Sequence, residues 1–171
     1  MKFTPIPKKI VVMGVSGVGK SSIGQSLADS LDYAFVDADS LHPESSIEKM
    51  NAGIPLADDN RWSWLDACAE SLNAKEAVVL ACSALKRVYR DRIRENSMAV
   101  LFLQLDADKK TILTRMENRH HFMKPEMLDS QLAILESISQ NEGLVIDASL
   151  TQAEILNRAI QYLENEISGS A

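Results

Sequence analysis

Short apolar runs alternate with longer amphipathic stretches along this chain of 171 residues. The apolar runs predict strands, because continuous apolar character is typical of strands that are buried on both faces. The predicted strands are Ile10–Met13, Tyr33–Val36, Ala77–Cys82, Ala99–Leu105 and Leu144–Ile146. The amphipathic stretches predict helices over Lys20–Leu31, Ile47–Asn51, Arg61–Asn73, Leu85–Glu95, Asp108–Asn118, Pro125–Ser139 and Thr151–Ile167.

The alternation of strands and helices predicts a three-layer α/β fold, in which helices flank a five-stranded parallel sheet. We expect a single domain over residues 1–171, since 46% hydrophobic and 25% charged residues is ordinary globular composition. Ligands of such sheets bind beyond the carboxyl ends of the strands. The residues that follow each strand are therefore the first candidates for chemistry.

Charge and cysteine content narrow the class of protein. A net charge of −6 argues against nucleic acid or an anionic membrane as a partner, because both require a basic surface. Cys68 and Cys82 are too few for a disulfide framework, so we expect reduced thiols in the core. No segment has the pattern of a signal peptide or the length of a membrane span. We expect a cytoplasmic protein.

The first predicted strand leads directly into Gly14-Val15-Ser16-Gly17-Val18-Gly19-Lys20-Ser21, which fills every fixed position of the phosphate-binding GxxxxGKS pattern. Glycines let backbone N–H groups face a polyphosphate, and the N-terminus of the next helix adds partial positive charge. We expect Lys20 to reach the outer phosphates, Ser21 to ligate Mg²⁺ and Ser22 to lie beside the nucleotide. The pattern predicts a nucleoside triphosphate site.

Two carboxylates, Asp37 and Asp39, follow the second predicted strand. In extended geometry both would project to the same side, next to the phosphate site. We assign Asp37 to the magnesium shell through water and Asp39 to the hydroxyl group that attacks the phosphate. The alternative is an acidic pair that caps the following helix.

Several cationic or polar side chains could contact an acceptor molecule. His42 precedes a proline and is either a substrate contact or a turn residue, and Lys49 and Arg61 could close over the acceptor or form solvated ion pairs. The segment 86–94 is strongly basic, and Lys86 and Arg90 share a helix face that would suit an anionic acceptor. The alternative for this segment is a solvated face, and Trp62 and Trp64 are expected to be core residues.

A further basic segment follows the fourth predicted strand. Arg115 and Arg119 are one helical turn apart, and the next residues are His120 and His121. This pattern indicates a mobile lid over approximately residues 116–127, which would exclude water and neutralise charge on the transferring phosphoryl group. A zinc site is disfavoured, because adjacent side chains diverge on a helix.

These motifs together closely resemble the small gluconate kinases, over nearly the whole chain. The segments that carry the resemblance are Gly14–Ser21, Phe35–Pro43, Ile47–Met50, Pro55–Arg61, Cys82–Asp91, His121–Met123 and Leu128–Leu132. The resemblance implies an adenylate-kinase-like fold, ATP and Mg²⁺, and transfer of the terminal phosphoryl group to the 6-hydroxyl of D-gluconate. It also implies a homodimer and an acceptor-binding helical segment over approximately residues 40–73.

The resemblance also implies roles for individual residues. Lys20, Asp39 and Arg119 would be catalytic, and Arg119 would lie near the phosphates. The acceptor pocket would be lined by Asp39, His42, Lys49, Arg61, Lys86, Arg90 and His121. Arg115 would lie against adenine, and the segment Asp147–Ser149, with Ala148 at its centre, would border the base.

The chain departs from the family pattern at Val18, at Ala38, at Trp62-Ser63-Trp64 and at Glu136-Ser137-Ile138. Val18 and Ala38 are close to the expected chemistry, yet neither departure removes a charged or ligating group. Two alternatives stay open from the residues alone. One is a kinase for another small acceptor, such as shikimate or a nucleoside monophosphate, and the other is a nucleotide-dependent switch.

Overall fold

The computed structural model describes residues 6–54, 56–118 and 125–168. Its strands are β1 (Lys9–Met13), β2 (Ala34–Asp37), β3 (Val78–Ala81), β4 (Val100–Asp106) and β5 (Gly143–Asp147). Its α-helices are α1 (Lys20–Leu31), α2 (Glu44–Asn51), α3 (Asp58–Asn73), α4 (Arg87–Asn96), α5 (Lys109–Asn118), α6 (Pro125–Ile134) and α7 (Gln152–Ser168). A 3₁₀ turn, η1 (Ala38–Leu41), directly follows β2.

The strands form one parallel sheet in the order β2-β3-β1-β4-β5. β1 lies in the middle, so the segment that follows it emerges between the ends of β3 and β4. Because all strands run in one direction, the segments after β1, β2 and β3 meet at the same edge of the sheet. The expected three-layer α/β fold with a five-stranded parallel sheet is confirmed.

Alternate residues of the sheet pack into two separate hydrophobic layers. Ile10 and Val12 of β1 face the layer that contains α1, α5 and α7, whereas Val11 and Met13 face α3 and α4. This division follows from the twofold alternation of side chains along a strand. Within the described part of the chain, no helix is long and apolar enough to cross a membrane.

Each predicted strand and helix is present, and the differences lie at the ends of elements. Helix α6 ends at Ile134 rather than at residue 139, and α4 begins at Arg87 because Lys86 is extended and Ala84 has φ of 45°. The η1 turn was not predicted. Trp64 is a core residue with 2% exposure, as expected, whereas Trp62 is only half-buried. Cys68 and Cys82 are buried free thiols, as expected.

Arg90 corrects the prediction for the basic segment. Its side chain is fully buried and donates from Nε to Glu142 (2.8 Å), with a second donor, Nη1, directed to the carbonyl oxygens of Ala84 (2.9 Å) and Leu85 (3.3 Å). A guanidinium with no contact to solvent must be paired within the protein, since an isolated buried charge is costly. Arg90 therefore holds the left-handed turn at Ala84 instead of facing an acceptor.

Glu142 completes this buried network. Arg94 donates to the same carboxylate oxygen at 2.7 Å, and the Ser139 N–H donates to the other at 2.9 Å. Burial alone would raise the pKa of Glu142, but the hydrogen bonds from Arg90, Ser139 and Arg94 lower it to about 2. Arg94, which belongs to the same basic segment, is only 28% exposed and forms ion pairs with Asp91 and Glu142.

We predict that Glu142→Gln lowers the free energy of unfolding by about 3 kcal/mol at pH 7, because it leaves the buried Arg90 charge without a counter-ion. The native carboxyl has the lower pKa, so its contribution is complete above the ordinary value of 4.5 and is lost as the pH falls toward 2. Urea denaturation at pH 7 and at pH 3 would show the difference between variant and parent shrinking with acid.

Asp66→Asn provides the matched control, since it breaks an ion pair with Arg92 in which both side chains are well exposed (38% and 39%). That exposed pair is expected to contribute less than about 1 kcal/mol. Equal losses for the Glu142 and Asp66 variants would contradict the structural role assigned to the buried network.

Candidate active site

The phosphate-binding loop turns sharply between β1 and α1. Gly14 has φ of +147°, and a Cβ atom there would lie 2.7 Å from the carbonyl oxygen of Leu105, so only glycine fits. The Gly14 N–H donates to the Ser83 carbonyl at 3.3 Å, which ties the loop to the end of β3. Gly19 (φ +106°) precedes α1, and no described side chain caps the first amides of this helix. These N–H donors point to an anion site.

Lys20 lies beneath this loop. Its ammonium donates to the Val15 carbonyl at 3.0 Å, so it is held within the curve of the loop. Burial lowers the pKa of Lys20, while the nearby Asp39 carboxylate favours the charged form. The site thus holds a cation against an acidic group at the position where phosphate charge is expected.

Ser21 and Asp37 form the oxygen pair that could hold Mg²⁺. The Ser21 hydroxyl donates to Asp37 Oδ2 at 2.6 Å, so the two groups lie at one point beside the loop. Magnesium prefers oxygen ligands and uses one or two protein groups together with phosphates and water. The described residues contain no cluster of three or more His, Cys, Asp or Glu side chains that would suit a different metal. The donor set therefore fits magnesium.

Asp37 and Asp39 are not arranged as an extended pair, which corrects the sequence-based geometry. β2 ends at Asp37, and the chain turns into η1, where Asp37 Oδ1 accepts from the Asp39 N–H at 3.0 Å. Asp37 therefore caps the turn with one oxygen and receives Ser21 with the other. Asp39 itself lines both a groove along the phosphate loop and a neighbouring cavity, which is described below.

Helix α3 holds η1 and His42 in place. Trp64 Nε1 donates to the Ala38 carbonyl at 2.8 Å, and the Trp64 indole stacks on the His42 ring with centroids 4.2 Å apart. Burial, and to a smaller extent the charge of Arg61, lower the pKa of His42 to about 4. His42 is therefore neutral at pH 7, and its Nδ1 has no hydrogen-bond partner among the described residues.

A cavity of about 180 Å³ opens beside the phosphate loop. Its polar and charged lining residues are Ser16, Lys20, Asp39, His42, Asp58, Arg61, Ser83, Lys86, Tyr89, Ser130 and Gln131. Its apolar lining residues are Met50, Leu56, Met127 and Ile134. Ser16, Lys20 and Asp39 also line the groove of the phosphate loop, so the cavity and the groove share a wall.

One part of the cavity lining is built around Tyr89, which does not line the groove of the phosphate loop. The Arg61 guanidinium lies 5.2 Å and the Lys86 ammonium 5.5 Å from the centre of the Tyr89 ring. The Tyr89 hydroxyl donates to Asp58 at 2.5 Å, and burial together with this bond raises the pKa of Tyr89 to about 12. Arg61 Nε is buried without a protein partner in the described residues. Arg61 and Lys86 thus bring cationic groups to a part of the cavity lining that the groove of the phosphate loop does not share.

The structure places the predicted acceptor residues unevenly. Asp39, His42, Arg61 and Lys86 come together in the cavity, whereas Lys49 is exposed, does not line it and lies 3.5 Å from the Asn60 side chain. Arg90 was also predicted to face the acceptor, but it is fully buried and does not line the cavity. Arg119, His121 and half of the predicted lid (residues 119–124) lie outside the described residues, as does Pro55.

A second pocket of about 280 Å³ lies on the other side of the phosphate loop. Arg115 lines it and donates to the carbonyl oxygens of Val18 (3.3 Å) and Ala148. Ala148 is fully buried and is not among the residues that line the pocket, so its contact with the base stays a prediction. The residues that line this pocket follow Ala148 in the chain; they are Leu150, Thr151, Gln152 and Ile155.

Helix α6 contributes cavity residues that the sequence analysis did not assign. Met127, Ser130, Gln131 and Ile134 share one helix face, a spacing that could have revealed them. The Gln131 Oε1 atom accepts from the Ser16 N–H at 2.6 Å, which links α6 directly to the phosphate loop. Tyr89 and Asp58 were also missed as lining residues, because their pairing joins two elements far apart in sequence.

Comparisons with known proteins agree with this geometry. A family model described as shikimate kinase matches residues 16–164. The gluconokinase of Gluconobacter oxydans (strain 621H) is 40% identical over 166 residues, which cover 94% of this chain and 93% of that protein. The crystal structure of a gluconokinase from Sinorhizobium meliloti 1021 is 42% identical, covers 96% of each chain and has a TM-score of 0.90. The chain belongs to the gluconokinase family.

Membership of the gluconokinase family confirms the resemblance seen in the sequence. The shikimate kinase from Acinetobacter baumannii, solved in complex with shikimate, is only 20% identical, with a TM-score of 0.61 and coverage of 95% of this chain and 94% of that one. At that identity the likeness shows the shared fold alone. The match to the shikimate kinase model is explained by this common architecture.

We predict that the His42 ring titrates with a midpoint near 4 rather than 6.5, because burial against Trp64 and the charge of Arg61 disfavour the imidazolium. The ring C–H resonances followed by NMR from pH 3.5 to pH 8 would report this. His42→Gln identifies the resonance by its loss. A midpoint above about 6 would contradict the burial described here.

Proposed function

We propose that this chain transfers the terminal phosphoryl group of ATP to the 6-hydroxyl of D-gluconate and releases 6-phospho-D-gluconate and ADP. The observation that carries the proposal is the shared wall of Ser16, Lys20 and Asp39 between the phosphate groove and the cavity. A molecule in the cavity would meet a phosphate group only at this wall. The activity of the gluconokinase relatives supports the assignment of the acceptor.

The reaction requires a hydroxyl group aligned with the terminal phosphorus. Asp39 is the carboxylate at the shared wall, and in this proposal it orients the acceptor hydroxyl and accepts its proton as the oxygen attacks. Lys20 and the amides at the start of α1 stabilise the charge on the phosphates. Catalysis then comes chiefly from positioning and from charges fixed before the reaction begins.

The part of the cavity that is lined by Arg61, Lys86 and Tyr89 suits the carboxylate of a sugar acid. Arg61 and Lys86 both lie close to the Tyr89 ring and supply positive charge, and neither lines the groove of the phosphate loop. The neutral His42 and the hydroxyl groups of Ser83 and Ser130 can exchange hydrogen bonds with the hydroxyl groups of the chain. A carboxylate held by Arg61 and Lys86 and a primary hydroxyl group beside Asp39 match this distribution of charged side chains.

Ser21 and Asp37 are the residues that would hold Mg²⁺. The ion would neutralise charge on the phosphates and orient them. In the nucleotide pocket, Arg115 and the segment 150–155 would receive the base of ATP. The family resemblance assigns Arg119 to the phosphates and His121 to the acceptor. We further propose a homodimer in the cytoplasm. The family resemblance supports the homodimer. The free thiols of Cys68 and Cys82 suit a reducing compartment such as the cytoplasm.

The experiment that tests the activity measures ADP release with ATP and Mg²⁺ in the presence of D-gluconate, shikimate or AMP. Mass spectrometry then identifies the phosphorylated product. Turnover with gluconate supports the proposal, and turnover with shikimate or AMP alone overturns the choice of acceptor. ADP release that is independent of every acceptor would instead favour a nucleotide-dependent switch.

We predict that Lys20→Ala and Asp39→Asn each reduce turnover of gluconate by about 10²- to 10⁴-fold while the protein stays folded. The first removes the cation at the phosphates, and the second removes the proton acceptor at the shared wall. Steady-state kinetics and circular dichroism would measure the two effects.

Asp29→Asn is the control, because Asp29 is exposed on α1 and lies outside the cavity and the groove. We expect this variant to turn over gluconate at the parent rate. Activity of the Asp39 variant close to that of the Asp29 variant would refute the role of Asp39.

A further inference from the structure

Gln131 of helix α6 bonds to the same peptide group of the phosphate loop that holds Lys20. This group joins Val15 to Ser16. Its carbonyl oxygen accepts from the Lys20 ammonium at 3.0 Å, and its N–H donates to the Oε1 atom of Gln131 at 2.6 Å. A trans peptide group is planar, so its carbonyl and its N–H point in opposite directions. Lys20 and Gln131 therefore hold one rigid unit from two sides.

The peptide group needs support from other elements, because the backbone around it is permissive. The segment 15–16 is flanked by Gly14 (φ +147°) and Gly17 (φ +82°), and glycine adopts positive and negative φ with similar ease. A rotation of the peptide group about its flanking bonds would turn its carbonyl away from the Lys20 ammonium. The hydrogen bond to Gln131 opposes this rotation.

The carboxamide of Gln131 lies on the acceptor side of the loop. Gln131 lines the acceptor cavity but not the groove of the phosphate loop, whereas Ser16 lines both. The carboxamide therefore supports the loop without lining the groove that would receive the phosphates. It is also neutral, so it satisfies the N–H without placing a negative charge beside a polyphosphate.

Helix α6, which carries Gln131, is fixed to two other parts of the chain. The Glu136 N–H, just beyond the end of α6, donates to the Leu85 carbonyl at 2.8 Å. Asp129 of α6 forms an ion pair with Lys109 of α5 at 2.6 Å. A functional group is held more precisely by a fixed helix than by a loop. The bond from Ser16 thus ties the loop to a supported element.

We propose that Gln131 is a positioning residue for phosphoryl transfer, which fixes the peptide group 15–16 and through it the Lys20 ammonium. This inference rests on the proposed function, in which Lys20 stabilises charge on the phosphates. A cation stabilises a transition state best when it is already in place before the charge develops. Gln131 itself contacts no reacting atom in this proposal.

The test replaces Gln131 with methionine, which has a similar length and helix propensity but no carboxamide. We expect Gln131→Met to lower kcat for gluconate about tenfold or more at saturating ATP, Mg²⁺ and gluconate, because Lys20 is less well placed in the transition state. A loss confined to the KM for gluconate would overturn the inference, since Gln131 would then only bind the acceptor. Gln131→Ala replaces the methionine variant if that protein does not fold.

A double-mutant cycle determines whether Gln131 acts through Lys20. In the Lys20→Ala background the cation is already absent, so Gln131→Met should change kcat by less than about twofold there. Equal fold losses in the two backgrounds would overturn the inference, because they would show that the two residues act independently.

Gln140→Met is the matched control, because Gln140 is exposed and lines neither the cavity nor the groove. The same substitution at this position should leave kcat within about twofold of the parent value. An equal loss in the Gln140 and Gln131 variants would overturn the role of the bond to the loop.

Hydrogen exchange of the Ser16 amide provides a readout besides activity. Without ligands, this N–H should exchange about tenfold or more faster in Gln131→Met than in the parent, because it has lost its acceptor. An unchanged exchange rate, or an unchanged kcat in the folded variant, would overturn the inference. Failure of the parent to phosphorylate gluconate would overturn the proposed function instead, so the two failures are distinguishable.

Discussion

The parallel direction of the five strands is the constraint on which the rest of the site depends. Because β1, β2 and β3 end at one edge of the sheet, the phosphate loop, the η1 turn and the Ser83–Lys86 segment meet there. The hydrogen bond from Gly14 to Ser83 joins two of these segments. The groove of the phosphate loop and the acceptor cavity can then share a wall of three residues. Phosphoryl transfer requires that the nucleotide and the acceptor lie this close together.

Helices on either side of the sheet determine the shape of the acceptor cavity. Helix α3 holds η1 through the hydrogen bond of Trp64 and holds the Tyr89 side chain in the cavity wall through Asp58. Helix α6 contacts the phosphate loop through Gln131. These contacts connect parts of the chain that are up to 115 residues apart. The acceptor side of the site therefore depends on packing between layers, whereas the phosphate side depends mainly on local backbone geometry.

The arginines of this chain divide between structural support and the site according to their burial. Arg90 is fully buried and pairs with Glu142, while Arg61 has a buried Nε atom at the cavity for which the described part of the chain supplies no partner. In the sequence, both arginines look equally suited to bind an anionic substrate. A buried guanidinium needs its counter-ion within the protein, so Arg90 supports the Ala84 turn that presents Ser83 and Lys86.

The sequence by itself determined the succession of strands and helices along the chain, the phosphate loop and the family. These features depend on local periodicity and on fixed spacing within short segments. It also placed Asp39, His42, Arg61 and Lys86 among the acceptor residues. It assigned Arg90 wrongly to a ligand-facing position and missed Asp58, Tyr89 and Gln131. Lys49 and Ala148 do not line the pockets described above, and their contacts with ligands stay predictions.

Only the tertiary structure decided these assignments, because the direction of a side chain depends on partners from other elements. Arg90 turns inward to Glu142, 52 residues away, and Tyr89 meets Asp58, 31 residues away. A pattern of charges along one helix does not encode which of them finds a counter-ion inside the protein. That choice is made by the free energy of burying a charge, which exists only once the layers have packed.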